Sequence, residues 1–108
     1  MIKGIGVDIV DLHRIEKNQE ALAKKILTEK EYAVFSNFLN TKRKTEYLGG
    51  RFAAKEAFFK AVSNKVCFKS IEILNDESGK PYVNHSNIHV SIAHENSYAI
   101  AYIIHEEG

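Results

Sequence analysis

The sequence predicts a single α+β domain, residues 1–108, in which helices pack on a largely antiparallel sheet. The length is that of one domain. Apolar and polar residues alternate near the start of the chain and again through its last third, which is typical of strands. The middle of the chain instead carries helix-capping residues and helical spacing. One strand, three helices and four further strands make up the predicted order.

The first predicted strand, residues 2–10, has two unlike faces. Successive side chains of a strand point to opposite faces, so one face is β-branched and the other combines glycines with an aspartate. The two sets are Ile5, Val7 and Ile9 on one face, and Gly4, Gly6, Asp8 and Val10 on the other. Aspartate is disfavoured inside a strand, and neighbouring glycines leave the backbone open to a ligand. Asp8 is therefore a candidate site residue, unless it only caps nearby N–H groups.

Three helices are predicted in the middle of the chain. Asp11 is a suitable N-cap for the first helix, which is expected to break near Asn18. Thr28 and Glu31 have the spacing of a capping box and predict the start of the second helix. The third helix is expected over residues 42–62, which contain no proline.

The remainder of the chain is strand-like. A turn at residues 94–96 predicts that the last two strands form a hairpin. The predicted strands are 66–74, 82–83, 88–93 and 97–105, with a turn at 75–81 between the first two.

Composition limits the classes of function. The chain carries 15 basic and 14 acidic residues, a net charge of +1, so we expect no nucleic-acid partner. The longest apolar run, residues 99–104, is far shorter than the ~20 residues that span a bilayer. Cys67 is the single cysteine, which fits a reducing compartment. We expect a cytoplasmic protein without a signal peptide or membrane partner.

The third predicted helix carries a lysine within its apolar stripe. Helical spacing aligns Leu48, Phe52, Lys55, Phe59 and Val62. An isolated buried ammonium is strongly destabilising unless it is paired. Lys55 therefore extends to the rim of the apolar surface, pairs with an acid, or faces a ligand.

Glu56 and Lys60 lie one turn apart on the same helix. Taken alone, they are typical of an exposed ion pair that contributes about 0.3–0.5 kcal/mol. Asp8 adds a second carboxylate, and two carboxylates brought together favour a hard divalent cation. Mg²⁺ uses only one or two protein carboxylates and takes its other ligands from water and phosphates. Asp8 and Glu56 are thus candidate Mg²⁺ ligands.

Three blocks of sequence closely resemble the holo-acyl-carrier-protein synthases, the short phosphopantetheinyl transferases. The blocks are "GIGVDIVDLHRIE", "GRFAAKEAFFKA" and "HVSIAHENSYAIA", at residues 4–16, 50–61 and 89–101. The resemblance implies transfer of 4′-phosphopantetheine from coenzyme A to a serine of apo acyl carrier protein, with adenosine 3′,5′-bisphosphate as the other product.

The resemblance also implies roles for individual residues. Asp8 and Glu56 would hold Mg²⁺ against the pyrophosphate of coenzyme A. Lys60 would lie near the phosphates, as proton acceptor or as charge stabiliser, which makes these three the candidate catalytic residues. Basic residues at family positions would contact the 3′-phosphate and nearby groups of coenzyme A. These nucleotide contacts are Lys42, Arg43, Arg51 and His94.

Assembly and partner binding follow from the same resemblance. Family chains of this length form homotrimers with active sites between neighbouring subunits. Lys55 would then lie at the nucleotide groove or at a subunit contact. Arg14 matches an arginine that docks the acidic carrier protein, and Lys24 and Lys25 would extend a basic patch beside it.

The sequence departs from the family at two places. The loop after the third helix, residues 61–68, is shorter than in many members. Glu95 follows His94 where a threonine or a small polar residue is common, so we assign Glu95 no ligand role. A small nucleic-acid-binding module and a non-catalytic carrier-protein-binding homologue are the two alternative functions. The low net charge disfavours the first, and the presence of Asp8, Glu56 and Lys60 together disfavours the second.

Overall fold

Four helices and five strands form the fold, which the computed structural model describes for residues Met1–Gly108. Strands β1, β5 and β4 form one antiparallel sheet in that order, and β2 pairs with β3. The helices are α1 (Leu12–Lys17), α2 (Gln19–Ile26), α3 (Glu29–Asn37) and α4 (Thr41–Val62). The strands are β1 (Ile2–Asp11), β2 (Ile73–Asn75), β3 (Pro81–Val83), β4 (Ile88–His94) and β5 (Tyr98–Glu106). The predicted α+β architecture is confirmed. None of the helices has the length and apolar character that crossing a bilayer requires.

The helices begin at, or within one residue of, their predicted starts. The Asp11 carboxylate accepts a hydrogen bond from a backbone N–H of the first turn of α1, and Asn18 separates α1 from α2. Thr28 and Glu31 form the reciprocal capping box of α3. Helix α4 begins one residue before its predicted start, because the Asn40 side chain caps it.

The strand predicted over residues 66–74 is wrong for most of its length. Residues Phe68–Ser70 form a 3₁₀ turn, and strand β2 begins only at Ile73. The hydroxyl and backbone N–H of Ser70 both donate to the Cys67 carbonyl, at 2.7 and 3.0 Å. This local bonding competes with extended pairing. The ring of Phe68 meanwhile packs against Phe59 of α4, at 5.3 Å between centroids.

Strand β1 and helix α4 approach one another more closely than ordinary side chains permit. A Cβ atom at Gly6 would overlap the carbonyl oxygen of Ala57, and one at Gly4 would overlap that of Ala61. Both helix residues are alanines one turn apart, and both are buried. Glycine on the strand and alanine on the helix therefore bring the two backbones into direct contact. We call these four residues the β1–α4 seam.

The opposite face of the sheet is apolar and exposed. On β1, Ile5, Val7 and Ile9 are 55%, 40% and 61% exposed. Strand β5 adds three large residues to the same face, because Val7 and Ile9 lie opposite Tyr102 and Ile100 in the antiparallel register. The exposed residues of β5 are Tyr98, Ile100 and Tyr102.

Lys55 lies in the protein interior, so its predicted location at the nucleotide groove or a subunit contact is wrong. Its side chain is fully buried, and Nζ donates to Glu31 Oε1 at 2.6 Å and to the Ile26 carbonyl at 2.7 Å. Burial lowers the pKa of the Lys55 ammonium from its ordinary value, while the hydrogen bond and charge of Glu31 oppose that change. Of the three alternatives for Lys55, pairing with an acid is the one observed.

We predict that Gly6→Ala lowers the free energy of unfolding by roughly 2–3 kcal/mol, because the added methyl group would force β1 away from the Ala57 carbonyl. Urea unfolding followed by circular dichroism measures the change. Gly79→Ala is the matched control. Its backbone φ is +89° but no atom lies within 4 Å of the added methyl group, so we expect a loss of only about 1 kcal/mol. Equal losses for the two variants would contradict the close approach at the seam.

Candidate active site

Asp8 and Glu56 line the same cavity, between β1, α1 and α4. The cavity has a volume of about 400 Å³. Asp8 reaches it because it shares the glycine face of β1, the face that packs on α4. Glu56 reaches the cavity from α4, where it immediately precedes Ala57 of the seam. The exposed Arg14 of α1 and Asp11, the N-cap of that helix, complete the charged lining, so the structure places one cation and three carboxylates around one space.

Lys60 lies beside this cavity and pairs with Asp8 rather than with Glu56. Its Nζ donates to Asp8 Oδ1 at 3.1 Å and to the Val7 carbonyl at 3.0 Å. The exposed i,i+4 pair considered for Glu56 and Lys60 is not formed, and Glu56 has no ion-pair partner. One carboxylate is thus held by an ammonium and the other is free to take a ligand.

The carboxylates are a suitable donor set for a hard divalent cation. No group of three or more His, Cys, Asp or Glu side chains is arranged to hold a metal ion. Mg²⁺ requires only one or two carboxylates when a phosphate and water complete its octahedron. Asp8 and Glu56 lie on one cavity and supply that number. The residues fit Mg²⁺ bound together with a phosphate-containing ligand, and not a cation held by protein ligands alone.

A second cavity, of about 390 Å³, gathers three of the four residues predicted to contact a nucleotide. Arg43, Arg51 and His94 line it. The turn between β2 and β3 forms its opposite wall through Asn75, Gly79 and Pro81. Lys42 is not among the lining residues. It lines the adjoining cavity instead, where Nζ donates to Asn96 Oδ1 at 2.9 Å.

The guanidinium of Arg51 uses its Nε and Nη2 donors in hydrogen bonds within the protein. Its Nε and Nη2 donate to the Ile73 carbonyl at 3.2 and 3.1 Å, and Nη2 also donates to Asn75 Oδ1 at 2.6 Å. A guanidinium has five N–H donors, so the two on Nη1 are left without a protein acceptor. Burial lowers the pKa of Arg51 from its ordinary value. The planar group also lies over the ring of Tyr47, at 4.2 Å from its centroid.

Tyr47 and Glu46 are two site residues that sequence reasoning missed. The Tyr47 hydroxyl is buried without a hydrogen-bond partner, and burial raises the pKa of Tyr47 to about 12. Its i,i+4 spacing from Arg51 on α4 was a usable signal, since such residues share a helix face. Glu46 Oε2 lies 3.6 Å from His94 Nδ1, and Glu46 Oε1 lies 3.9 Å from Arg43 Nε. The contact with His94 joins α4 to the end of β4, which no local pattern reveals.

Comparison with known proteins identifies relatives over nearly the whole chain. The family model of the 4′-phosphopantetheinyl transferase superfamily matches residues 4–103. A holo-[acyl-carrier-protein] synthase of Geobacillus sp. (strain WCH70) is 49% identical, with 98% of each chain covered. A crystal structure of a Bacillus anthracis holo-(acyl-carrier-protein) synthase in complex with CoA (3′,5′-ADP) is 43% identical, covers 96% of each chain and has a TM-score of 0.90. The Neisseria meningitidis holo-[acyl-carrier-protein] synthase is 34% identical, with a TM-score of 0.89 over 99% of this chain and 100% of that one.

These likenesses extend over the strand that carries Asp8, the helix that carries Glu56 and Lys60, and the hairpin that carries His94. The resemblance noted in the three sequence blocks is therefore confirmed across the fold. The chain belongs to the 4′-phosphopantetheinyl transferase superfamily.

Proposed function

We propose that this protein is a holo-acyl-carrier-protein synthase, which transfers 4′-phosphopantetheine from coenzyme A to a serine hydroxyl of apo acyl carrier protein. The serine oxygen attacks the phosphorus next to pantetheine and its hydroxyl proton is released to water, while the P–O bond of the pyrophosphate breaks and adenosine 3′,5′-bisphosphate leaves. The observation that carries this proposal is the 49% identity with a holo-acyl-carrier-protein synthase over 98% of each chain. Two cavities that share helix α4 support it: the cavity of Asp8 and Glu56, here called the carboxylate cavity, and the cavity of Arg43, Arg51 and His94, here called the basic cavity.

Asp8 and Glu56 are the proposed Mg²⁺ ligands. A bound Mg²⁺ would offset charge on the pyrophosphate oxygens as it develops during transfer. The two residues come from different elements, β1 and α4, so the contact between these elements sets the separation of the carboxylates.

Lys60 is proposed to stabilise charge. Both of its contacts are with acceptors, the Asp8 carboxylate and the Val7 carbonyl, so the ammonium donates in this arrangement. These two acceptors fix the position of the ammonium, which suits it to offset charge on nearby phosphate oxygens. This supports charge stabilisation over the alternative role of proton acceptor.

The basic cavity is the proposed site of the nucleotide end of coenzyme A. Arg43 and His94 line it from different elements, and Arg51 keeps two unpaired N–H donors. Guanidinium groups suit phosphate oxygens because their donors are planar and always charged. Lys42, in the adjoining cavity, would approach the 3′-phosphate from its rim.

Arg14 is the proposed anchor for the carrier protein. It is exposed on α1 and lines the same cavity as Asp8 and Glu56. Lys24 and Lys25, both exposed on α2, would extend a positive surface toward an acidic partner and accelerate association. An acidic partner docked at Arg14 would bring its serine close to the carboxylate cavity.

The exposed apolar sheet face is proposed as the contact between subunits of a homotrimer. Contiguous apolar patches are rare on monomeric proteins and usually mark interfaces. The patch lies on β1 and β5, and Ile9 and Asp8 are neighbours on β1, so a subunit packed there would border the carboxylate cavity. Active sites between neighbouring subunits agree with this geometry. A cytoplasmic location is part of the same proposal.

Mass spectrometry of an apo acyl carrier protein incubated with this protein, coenzyme A and Mg²⁺ tests the activity. We expect the carrier protein to gain the mass of one phosphopantetheine group. An unmodified carrier protein under every divalent metal tried would overturn the proposed function.

Glu56→Gln tests the metal assignment. We predict a folded protein whose kcat falls at least roughly 100-fold, with loss of metal-dependent binding of coenzyme A, because an amide replaces a charged ligand. Steady-state assays and calorimetry with and without Mg²⁺ measure both. Glu107→Gln, an exposed acid near the end of the chain, is the matched control and should change neither. Full activity of Glu56→Gln would show that Glu56 is not a ligand.

Ile9→Glu tests the proposed subunit contact. Ile9 is 61% exposed on the apolar face, opposite Ile100, so a charge there should convert the trimer to monomers and reduce turnover. Light scattering coupled to size-exclusion chromatography gives the mass. Leu39→Glu is the control, since Leu39 is completely exposed and lies outside the sheet. A trimer that survives Ile9→Glu would contradict this interface.

A further inference from the structure

We propose that the buried pair of Glu31 and Lys55 positions the basic cavity lined by Arg43, Arg51 and His94, here called the nucleotide cavity. By holding strand β2 against helix α4, the pair sets the location of Arg51 and of the β2–β3 turn. Neither Glu31 nor Lys55 lines the cavity, so they act as positioning residues and not as contacts of the nucleotide. This inference rests on the proposed function, because it concerns the site assigned to the nucleotide end of coenzyme A.

Together, the Glu31 and Lys55 side chains join four segments of the chain, α2, α3, α4 and β2. Oε1 accepts from Lys55 Nζ of α4 at 2.6 Å and from the Thr28 N–H at the start of α3 at 2.9 Å. Oε2 accepts from the Ile73 N–H of β2 at 2.7 Å. Lys55 Nζ also donates to the Ile26 carbonyl at the end of α2, at 2.7 Å. Both side chains are completely buried, so water cannot replace any of these bonds.

Ile73 connects this pair to the nucleotide cavity. Its N–H donates to the Glu31 carboxylate, and its carbonyl accepts two hydrogen bonds from Arg51. Arg51 and Lys55 are one turn apart on α4. Helix α4 therefore holds β2 twice, directly through Arg51 and indirectly through Lys55 and Glu31. Displacement of Ile73 would also displace the guanidinium that faces the cavity.

One wall of the nucleotide cavity is the turn that immediately follows β2 in the chain. Asn75 ends that strand, accepts from Arg51 Nη2 at 2.6 Å and donates to the Gly79 carbonyl at 2.8 Å. The Asp76 carboxylate accepts from Ser78 and Lys80 and closes the same turn. The wall is therefore internally rigid, and its attachment to the rest of the protein sets its position. Strands β2 and β3 pair only with each other, over three residues each.

The apolar contacts of β2 do not define its register as sharply. Ile73 of β2 and Ile71 just before the strand are buried in the main core, but such contacts are non-directional and tolerate small shifts. A buried ion pair, by contrast, adds little net stability over an apolar pair, since desolvation offsets its attraction. The Glu31–Lys55 pair therefore determines position more than stability.

Three variants test this inference: Lys55→Met, Glu31→Gln and the two combined. The probe is adenosine 3′,5′-bisphosphate, whose Kd is measured by calorimetry. We expect each single variant to weaken binding roughly tenfold, the equivalent of one hydrogen bond to a charged group. The KM for coenzyme A should rise while kcat stays within about twofold. The double variant should recover part of the thermal stability, because it removes the unpaired charge, but not the affinity.

Phe35→Leu is the matched control for a loss of stability alone. Phe35 is fully buried on α3, outside the cavity lining, and belongs to the smaller core cluster. The Tm of the Phe35→Leu variant should fall, while its Kd for the bisphosphate stays within about twofold of the wild-type value. Single variants that bind as tightly as the wild type, or a control that loses as much affinity as they do, would overturn the inference.

A measurement on the unmodified protein applies even if the single variants do not fold. Saturating bisphosphate should slow hydrogen exchange of the Ile73 amide at least roughly tenfold, since binding then requires β2 in place. Unchanged exchange at Ile73 in the ligand-bound protein would overturn the inference while leaving the proposed function intact. If the wild-type protein does not bind the bisphosphate at all, the proposed function fails, and this inference fails with it.

Discussion

The direct contact of β1 with α4 is the constraint on which the rest of the structure depends. Gly4 lies against the carbonyl group of Ala61 and Gly6 against that of Ala57, with no side chain between the two backbones. Residues beside this seam are therefore held at short, defined separations. Asp8 continues the glycine face of the strand, and Glu56 and Lys60 flank the seam on the helix, so three charged groups gather at one end of it.

The same contact determines what each face of the sheet presents. Because α4 covers the glycine face, the β-branched residues of β1 and the aromatic residues of β5 lie on the other face, open to solvent. An apolar face without a covering layer is what a subunit contact requires. Strand β1 thus contributes to the proposed metal site on one face and to the proposed assembly on the other, and its alternation of side chains separates the two roles.

Local features of the fold were predictable from the sequence, and long-range pairings were not. The Thr28–Glu31 capping box and the break at Asn18 depend on neighbouring residues, and both are observed. The pairing of Glu31 with Lys55 joins residues far apart in sequence, and it depends on how α3 packs against α4. The helical pattern left three alternatives open for Lys55 and did not identify Glu31 as its partner. The strand expected over residues 66–74 was wrong because Ser70 bonds to Cys67, a local alternative that alternation of apolar residues does not reveal.

The central claim is that the seam brings Asp8 and Glu56 into one metal site. Titration of Mn²⁺ in the presence of coenzyme A, followed by electron paramagnetic resonance, tests it most directly in Asp8→Asn, Glu56→Gln and the double variant. If the two carboxylates share one ion, each single variant should weaken Mn²⁺ binding strongly, and the double variant should be little weaker than the worse single variant. Single variants that leave Mn²⁺ affinity unchanged, or losses that simply add, would contradict a shared site.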